Sequence, residues 1–218
     1  MLYAIGEIFL VVIGIIIAVN INNWNEQRKA KTQEIKTLKE LKSALQADLV
    51  DIEFNINWHE SARNACEIIL EVIDKKIPYT DSLAYHFGSM TRFSQFLPDL
   101  GTYETIKASG LGLITNDSLR LEAAHYYEND IKHALGYEAI NRSLFPLNME
   151  IYRKHFYVQE LLNSGIPKNY DALINDDVFI SYLFETKGLR ENEVRIFSDL
   201  VVKCKGLINL IDQELKKE

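Results

Sequence analysis

The chain has 218 residues, 47% of them hydrophobic and 25% charged, with a formal net charge of −7. That is enough apolar material for one ordinary domain, and an acidic balance that argues against a nucleic-acid partner. The charge is uneven: residues 26–42 sum to +3 and everything after Lys42 to −9, a basic collar on an acidic body that suits anionic lipid headgroups beside the collar.

Residues 2–21 form an apolar run interrupted only by Glu7. As a helix it measures roughly 30 Å, the thickness of a bilayer's hydrocarbon core. No basic residue precedes it, it exceeds the core of a secretory signal, and Ala18-Val19-Asn20-Ile21 is a poor cleavage site. The core helix of a soluble protein seldom needs so unbroken a run. Residues 1–24 are therefore expected to be a transmembrane anchor, with Trp24 at headgroup level. Ala4, Glu7, Val11, Gly14 and Ala18 follow alternating steps of three and four and share one face. Gly14 and Ala18 make a small-xxx-small pair, so this face is the expected contact with a second copy or a partner helix. Glu7 either hydrogen-bonds across that contact or reaches the nearby interface.

Residues 25–75 continue as one long helix. The same alternating steps run through Lys42, Leu45, Leu49, Ile52, Ile56, His59, Arg63, Cys66, Leu70 and Ile73 with no Gly or Pro, a heptad seam with three polar interruptions. Pro78 stops it, and Thr80 or Asp81 caps the next helix. Residues 76–218 are expected to complete a helical bundle. A helix over 82–96 carries Leu83, Phe87, Met90, Phe93 and Leu97 on one stripe. Another over 102–109 stops at Gly110, and Asn116 or Asp117 caps a helix running toward Phe145. Pro146 breaks or kinks it, and the pattern resumes through Leu162 before a loop at Gly165 and Pro167. A helix over 177–187 ends at Gly188. The last helix carries Val194, Phe197, Val201, Cys204, Ile208, Ile211 and Leu215 on one seam and is expected to pair antiparallel with the first. No stretch alternates with period two beside a hairpin turn, so no sheet is expected. The fold class is all-α.

Chemical motifs are sparse. Glu122-Ala-Ala-His125 has the i, i+3 spacing of helical di-iron bundles but lacks the second copy and the two further glutamates such a site needs. Glu122 and His125 are at most weak metal candidates, and a pocket beside Tyr126 is the alternative ligand-binding reading. Tyr126, Tyr127, Tyr152, Phe156 and Tyr157 are read as pocket lining or plain core. Gly110-Leu-Gly112 lacks the third glycine of a dinucleotide loop and follows a helix instead of a strand, so it reads as a helix stop. Cys66 and Cys204 sit at apolar helical positions and are expected to be buried free thiols. No catalytic residue and no cofactor is assigned, and no enzyme is expected.

Two segments carry a resemblance. YAIGEIFLVVIGIIIAVNINNWNE, residues 3–26, resembles the opening of an uncharacterised family of bacterial single-pass membrane proteins, and TYETIKASGLGLITNDSLRLEAAHYY, residues 102–127, looks like that family's second recognisable stretch. The family is a domain of unknown function and implies no catalytic residues. It implies a single pass through the bacterial cytoplasmic (inner) membrane. Its members carry a basic arm before the anchor, and with such an arm the helical domain would face the periplasm. Arg28, Lys29, Lys31 and Lys36 after the helix, counted alone, would keep it in the cytoplasm. The side stays open, with a lean to the periplasm. The functional expectation is a membrane-tethered helical module, protein-binding, sensory or scaffolding, with the lipid bilayer and either itself or an envelope protein as partners. A structural subunit of an envelope complex is the other alternative.

Overall fold

The computed structural model describes residues 2–160 and 162–217, with side chains for 9–157, 160 and 162–217. Its elements run α1 (Leu2–Asp74), α2 (Leu83–Ser89), α3 (Leu100–Ser109), α4 (Asp117–His125), a π-helical turn (Tyr126–Asp130), α5 (Ile131–His155), β1 (Phe156–Glu160), β2 (Ser164–Pro167), α6 (Tyr170–Leu173) and α7 (Asp177–Leu215). The protein is all-α apart from one small hairpin. α1 passes from the apolar segment into the bundle without a break; at 1.5 Å per residue it is about 110 Å long. From Phe9 to Trp24 every residue is exposed, and none of the apolar window of this helix is buried inside the protein.

α1 and α7 pair antiparallel, as expected. Lys42 meets Asp212 at 2.6 Å, the Cys204 thiol donates to the Leu45 carbonyl at 3.2 Å, and Lys187 lies 3.4 Å from Glu67. The buried stripe of α1 is rotated from the predicted seam, however. Leu45, Ile52, His59 and Cys66 are buried as read, but Leu41, Asp48, Asn55, Ala62 and Ile69 take the alternate positions assigned to Lys42, Leu49, Ile56, Arg63 and Leu70. α7 shows the same shift: Leu200, Leu207 and Glu214 are buried in place of Val201, Ile208 and Leu215. Polar residues at two of the true core positions of α1 disguised the stripe.

Asp48 and Asn55 are buried because of the segment that follows α2. The helix expected over 82–96 ends at Ser89, and residues 92–99 cross the bundle as an irregular strap. A strap without a sheet partner must find other groups for its backbone. Glu138, Asp51 and Asp48 accept the N–H groups of Phe96, Leu97 and Asp99 at 2.7–2.8 Å. The Trp58 indole donates to the Phe93 carbonyl at 3.1 Å. Phe96 is thereby driven into the core while Leu97 faces out.

Further expectations are corrected. Helix α5 runs through Pro146 but ends at His155, and the chain then forms the antiparallel hairpin, with Phe156 opposite Pro167 and a bulge between Val158 and Glu160. Leu162, expected in a helix, instead takes a left-handed φ of 72° in the hairpin loop. Gly188 stops nothing: α7 is one helix of 39 residues, because a mid-helix glycine costs only about 1 kcal/mol and buried Leu183, Thr186 and Arg190 on either side hold the turn in place. Thr80 and Asp81 do not cap α2: Ser82 precedes it, and its side chain makes no capping bond. The caps around the next loop were read correctly. Gly110, at φ 98°, ends α3, and the Asn116 side chain accepts from Leu119 N–H to start α4. Thr115 beside it gives both its N–H and its hydroxyl to Glu34 of α1.

The core falls into two parts. One gathers Leu38, Leu45, Tyr127, Ile131, Phe197 and Leu207; the other Cys66, Ile69, Phe87, Tyr152, Phe156 and Phe179. On α1, α5 and α7 alike, the residues between these two sets are polar and buried: Asn55 and His59, Glu138 and Asn141, and Thr186, Arg190 and Glu193.

Candidate functional site

Two polar arrangements stand out, one open and one closed. The open one is a groove of about 520 Å3 between α4 with its π-helical turn and the last part of α7. An α-helix separates consecutive residues by 100°, so two adjacent tyrosines leave it in different directions. The wider turn at Tyr126–Asp130 puts both Tyr126 and Tyr127 inside, each 1% exposed. Tyr127 stacks on Tyr103 with ring centres 4.4 Å apart, and Tyr126 meets Tyr127 edge-on at 5.2 Å. Such turns recur at functional sites. Here it carries Asp130 to the groove, where one oxygen meets Lys203 at 2.5 Å and the other His125 Nδ1 at 3.2 Å. Glu122, His125 and Tyr126 do lie together along this groove, opposite Gly206, Leu207 and Leu210.

The groove does not have the donor set of a metal centre. His125 turns to Asp130, and among the described residues no three His, Cys, Asp or Glu side chains converge as metal ligands. The five aromatics do not form one pocket. Tyr126 and Tyr127 belong to the first core, Tyr152 and Phe156 to the second, and Tyr157 is exposed. Both cysteines are buried and free, and burial pushes the thiols up to about 12 for Cys66 and about 11 for Cys204.

The closed arrangement is the polar layer between the two cores. At its centre the Glu193 carboxylate receives Arg190 Nη1 at 2.6 Å and Asn141 Nδ2 at 2.5 Å, with His59 Nδ1 at 3.1 Å. Burial, and then the Arg190 guanidinium, push the His59 imidazole down to about 3. It is therefore neutral, and it stacks on Phe197. Among the described residues, Arg190 Nε, Thr186 Oγ1 and both His59 ring nitrogens are enclosed without a hydrogen-bond partner. The interruption of the α1 seam at His59 was the one trace of this layer in the sequence. Its other members are Asn55 and residues of α5 and α7, and no local pattern links them.

Glu138 joins the layer to the strap. Burial pushes its carboxyl up to about 7 against the Phe96 N–H that would hold it down; Glu193 and Asp51 repel the charged form and Arg142 attracts it. A carboxyl raised on folding contributes stability that is full below its unfolded pKa and lost as pH rises through the folded one. Between about pH 5 and about pH 8 the wild-type chain is thus expected to lose on the order of 2 kcal/mol through this group. Glu138→Gln keeps an acceptor for Phe96 N–H and removes the titration. Denaturation midpoints of the two proteins across that range should diverge, the wild type falling relative to the variant. Parallel curves would show that Glu138 titrates normally. Asp48, pushed up to about 6 mainly by burial, adds a term of the same sign, whereas His59 acts in the opposite direction as pH falls below its ordinary value.

The face expected to make a contact within the apolar segment lies apart from both arrangements. The side chains of Ala4 and Glu7 lie outside the described residues. Val11, Gly14 and Ala18 are exposed, and a Cβ on Gly14 would meet nothing within 4 Å. Trp24 is exposed too, with the Arg28 guanidinium 5.9 Å from its ring centre. No curated protein and no solved structure matches this chain. One family model does, over residues 7–144. That range takes in most of the apolar segment, all of the bundle part of α1, the strap, and the α4 and π-turn wall of the groove, and it stops before the hairpin and α7. With well over half its length matched, the chain belongs to DUF6090, a family of unknown function.

Proposed function

We propose that this protein is a membrane-tethered helical module that binds a protein partner and serves as a sensor or scaffold, without catalysis of its own. The observation that carries this reading is the continuity of α1. One helix supplies both an apolar segment that is exposed throughout its described side chains and the central helix of the bundle. A side chain of that kind is stable only when lipid or another apolar surface covers it. Because no loop interrupts α1, a displacement at the bundle is passed to the apolar segment as motion of a single rod. The α4–α7 groove is the face proposed to receive the partner: an apolar floor of Leu207 and Leu210 with a rim of Glu122, His125, Asp130 and Lys203 has the build of a binding surface.

The full-length chain, expressed in bacteria, should stay in the membrane fraction through alkaline carbonate washing, and Ile16→Lys should release a large part of it. Both native cysteines are buried, so a Lys217→Cys variant in intact spheroplasts reports the side of the membrane to an impermeant thiol reagent. A photo-cross-linking residue at Asn209, in the groove, should capture one discrete protein. The same residue at Tyr157, on the hairpin, should not. Full release of the wild-type chain by carbonate would sink the tether, and no adduct from Asn209 would sink the partner.

A further inference from the structure

Arg92, where the strap begins, is a buried cation that among the described residues is held by neutral groups. It is 8% exposed. Its Nε donates to the Leu162 carbonyl at 2.8 Å and Nη2 to Asn163 Oδ1 at 3.1 Å, which pins the hairpin loop. Nη1 donates to Ser61 Oγ at 2.6 Å and to the Tyr85 hydroxyl at 3.2 Å. The guanidinium also lies 4.9 Å from the Trp58 ring centre and 5.1 Å from that of Tyr85. Among the described residues no carboxylate pairs with it. Buried charges are as a rule paired, because desolvating one without a counter-charge is costly. Arg190, the other buried arginine, follows that rule through Glu193.

The two hydroxyls that accept from Nη1 also line an open cleft of about 300 Å3 between α1 and α2, together with Asn57, Asn64, His86 and Glu60. A hydroxyl that accepts from a guanidinium keeps its own proton to donate. Arg92, followed by Ser89, holds the Tyr85 phenol below its ordinary range, so its O–H is a stronger donor than usual. The cleft thus has two polarised O–H donors, two amides and an imidazole, backed by an uncompensated positive charge. Glu60 is the exception, and it limits how much negative charge the cleft can accept.

We propose that the α1–α2 cleft binds a small molecule through one carboxylate group, with Ser61 and Tyr85 donating to it and Arg92 behind them as its counter-charge. A monoanion satisfies Arg92 and meets at Glu60 about half the repulsion that a phosphate dianion would. The site is separate from the α4–α7 groove, and it also lies on α1, so occupancy acts on the same rod.

Trp58 is the natural reporter, and Trp24→Phe removes the other tryptophan. Sodium acetate, titrated into the full-length Trp24→Phe protein in detergent against sodium chloride at equal ionic strength, should give a saturable change in Trp58 emission at millimolar concentration. Tyr85→Phe, a change at a half-exposed ring that leaves packing intact, and Ser61→Ala should each weaken the response about tenfold, with far-ultraviolet circular dichroism unchanged. Sodium phosphate should respond more weakly than acetate. No acetate response beyond that of chloride, a response unchanged in both variants, or a stronger response to phosphate would each overturn the assignment.

Discussion

Glu193→Ala should destabilise the protein by about 3–5 kcal/mol, the cost typical of leaving one partner of a buried ion pair behind. The Glu193 side chain is 2% exposed and that of Arg190 5%, so water cannot take over either role. Asn141 loses its partner in the same step. The effect belongs to the broken pair and is not the net worth of the pair when intact. Arg190→Met with Glu193→Leu removes both charges and should recover most of the loss. Chemical denaturation of the detergent-solubilised full-length protein, followed by circular dichroism, measures all three. A single-variant loss below about 1 kcal/mol, the size expected of an exposed pair, would show that the layer is wet and open.

Gly88→Ala should also destabilise, by about 2–3 kcal/mol, where the same change in an ordinary helix gains up to about 1 kcal/mol. The sign makes the test sharp. A Cβ at position 88 would sit 2.2 Å from the Ser164 nitrogen and 2.4 Å from the Asn163 carbonyl carbon. Both are backbone atoms and cannot swing aside as a side chain can. The hairpin must lift from α2, and that loosens the Arg92 bonds to Leu162 and Asn163. The variant should show a lower melting temperature and faster amide exchange at Ser164. A neutral or higher melting temperature would mean that the hairpin does not rest on α2.

Much of the helical frame is legible from local pattern. α1 is read as continuous because nothing between residues 2 and 74 is Gly-rich or Pro-containing beyond what a helix tolerates. The stops at Gly110 and the cap at Asn116 follow from chemistry within a few residues. The groove was half legible: Glu122, His125 and Tyr126 are neighbours on one helix by spacing alone, but Asp130 reaches them only through the π-turn and Lys203 only through α7.

The strap and the hairpin were missed for a different reason. Met90, Phe93 and Leu97 match a helical stripe, yet the stripe is not what residues 92–99 obey. Three carboxylates from α1 and α5 satisfy the strap's N–H groups better than a short isolated helix would. Asp48 and Asn55 look like surface residues for the same reason, since the partners that make their burial tolerable lie at Asp99 and Gln95.

By itself, then, the sequence determined that this is a helical protein with an exposed apolar segment at one end, two long helices at its two ends, and buried free thiols. Hydrophobic period, glycine stops and cap chemistry act over one or two turns, so they are written locally. Only the tertiary structure decided which face of α1 is inside, that a layer around Glu193 divides the core, and that Arg92 stands without a counter-charge beside an open cleft. Each of those is the outcome of a competition between desolvation and hydrogen bonding that draws in groups far apart in the chain, and no stretch of chain carries both sides of that competition.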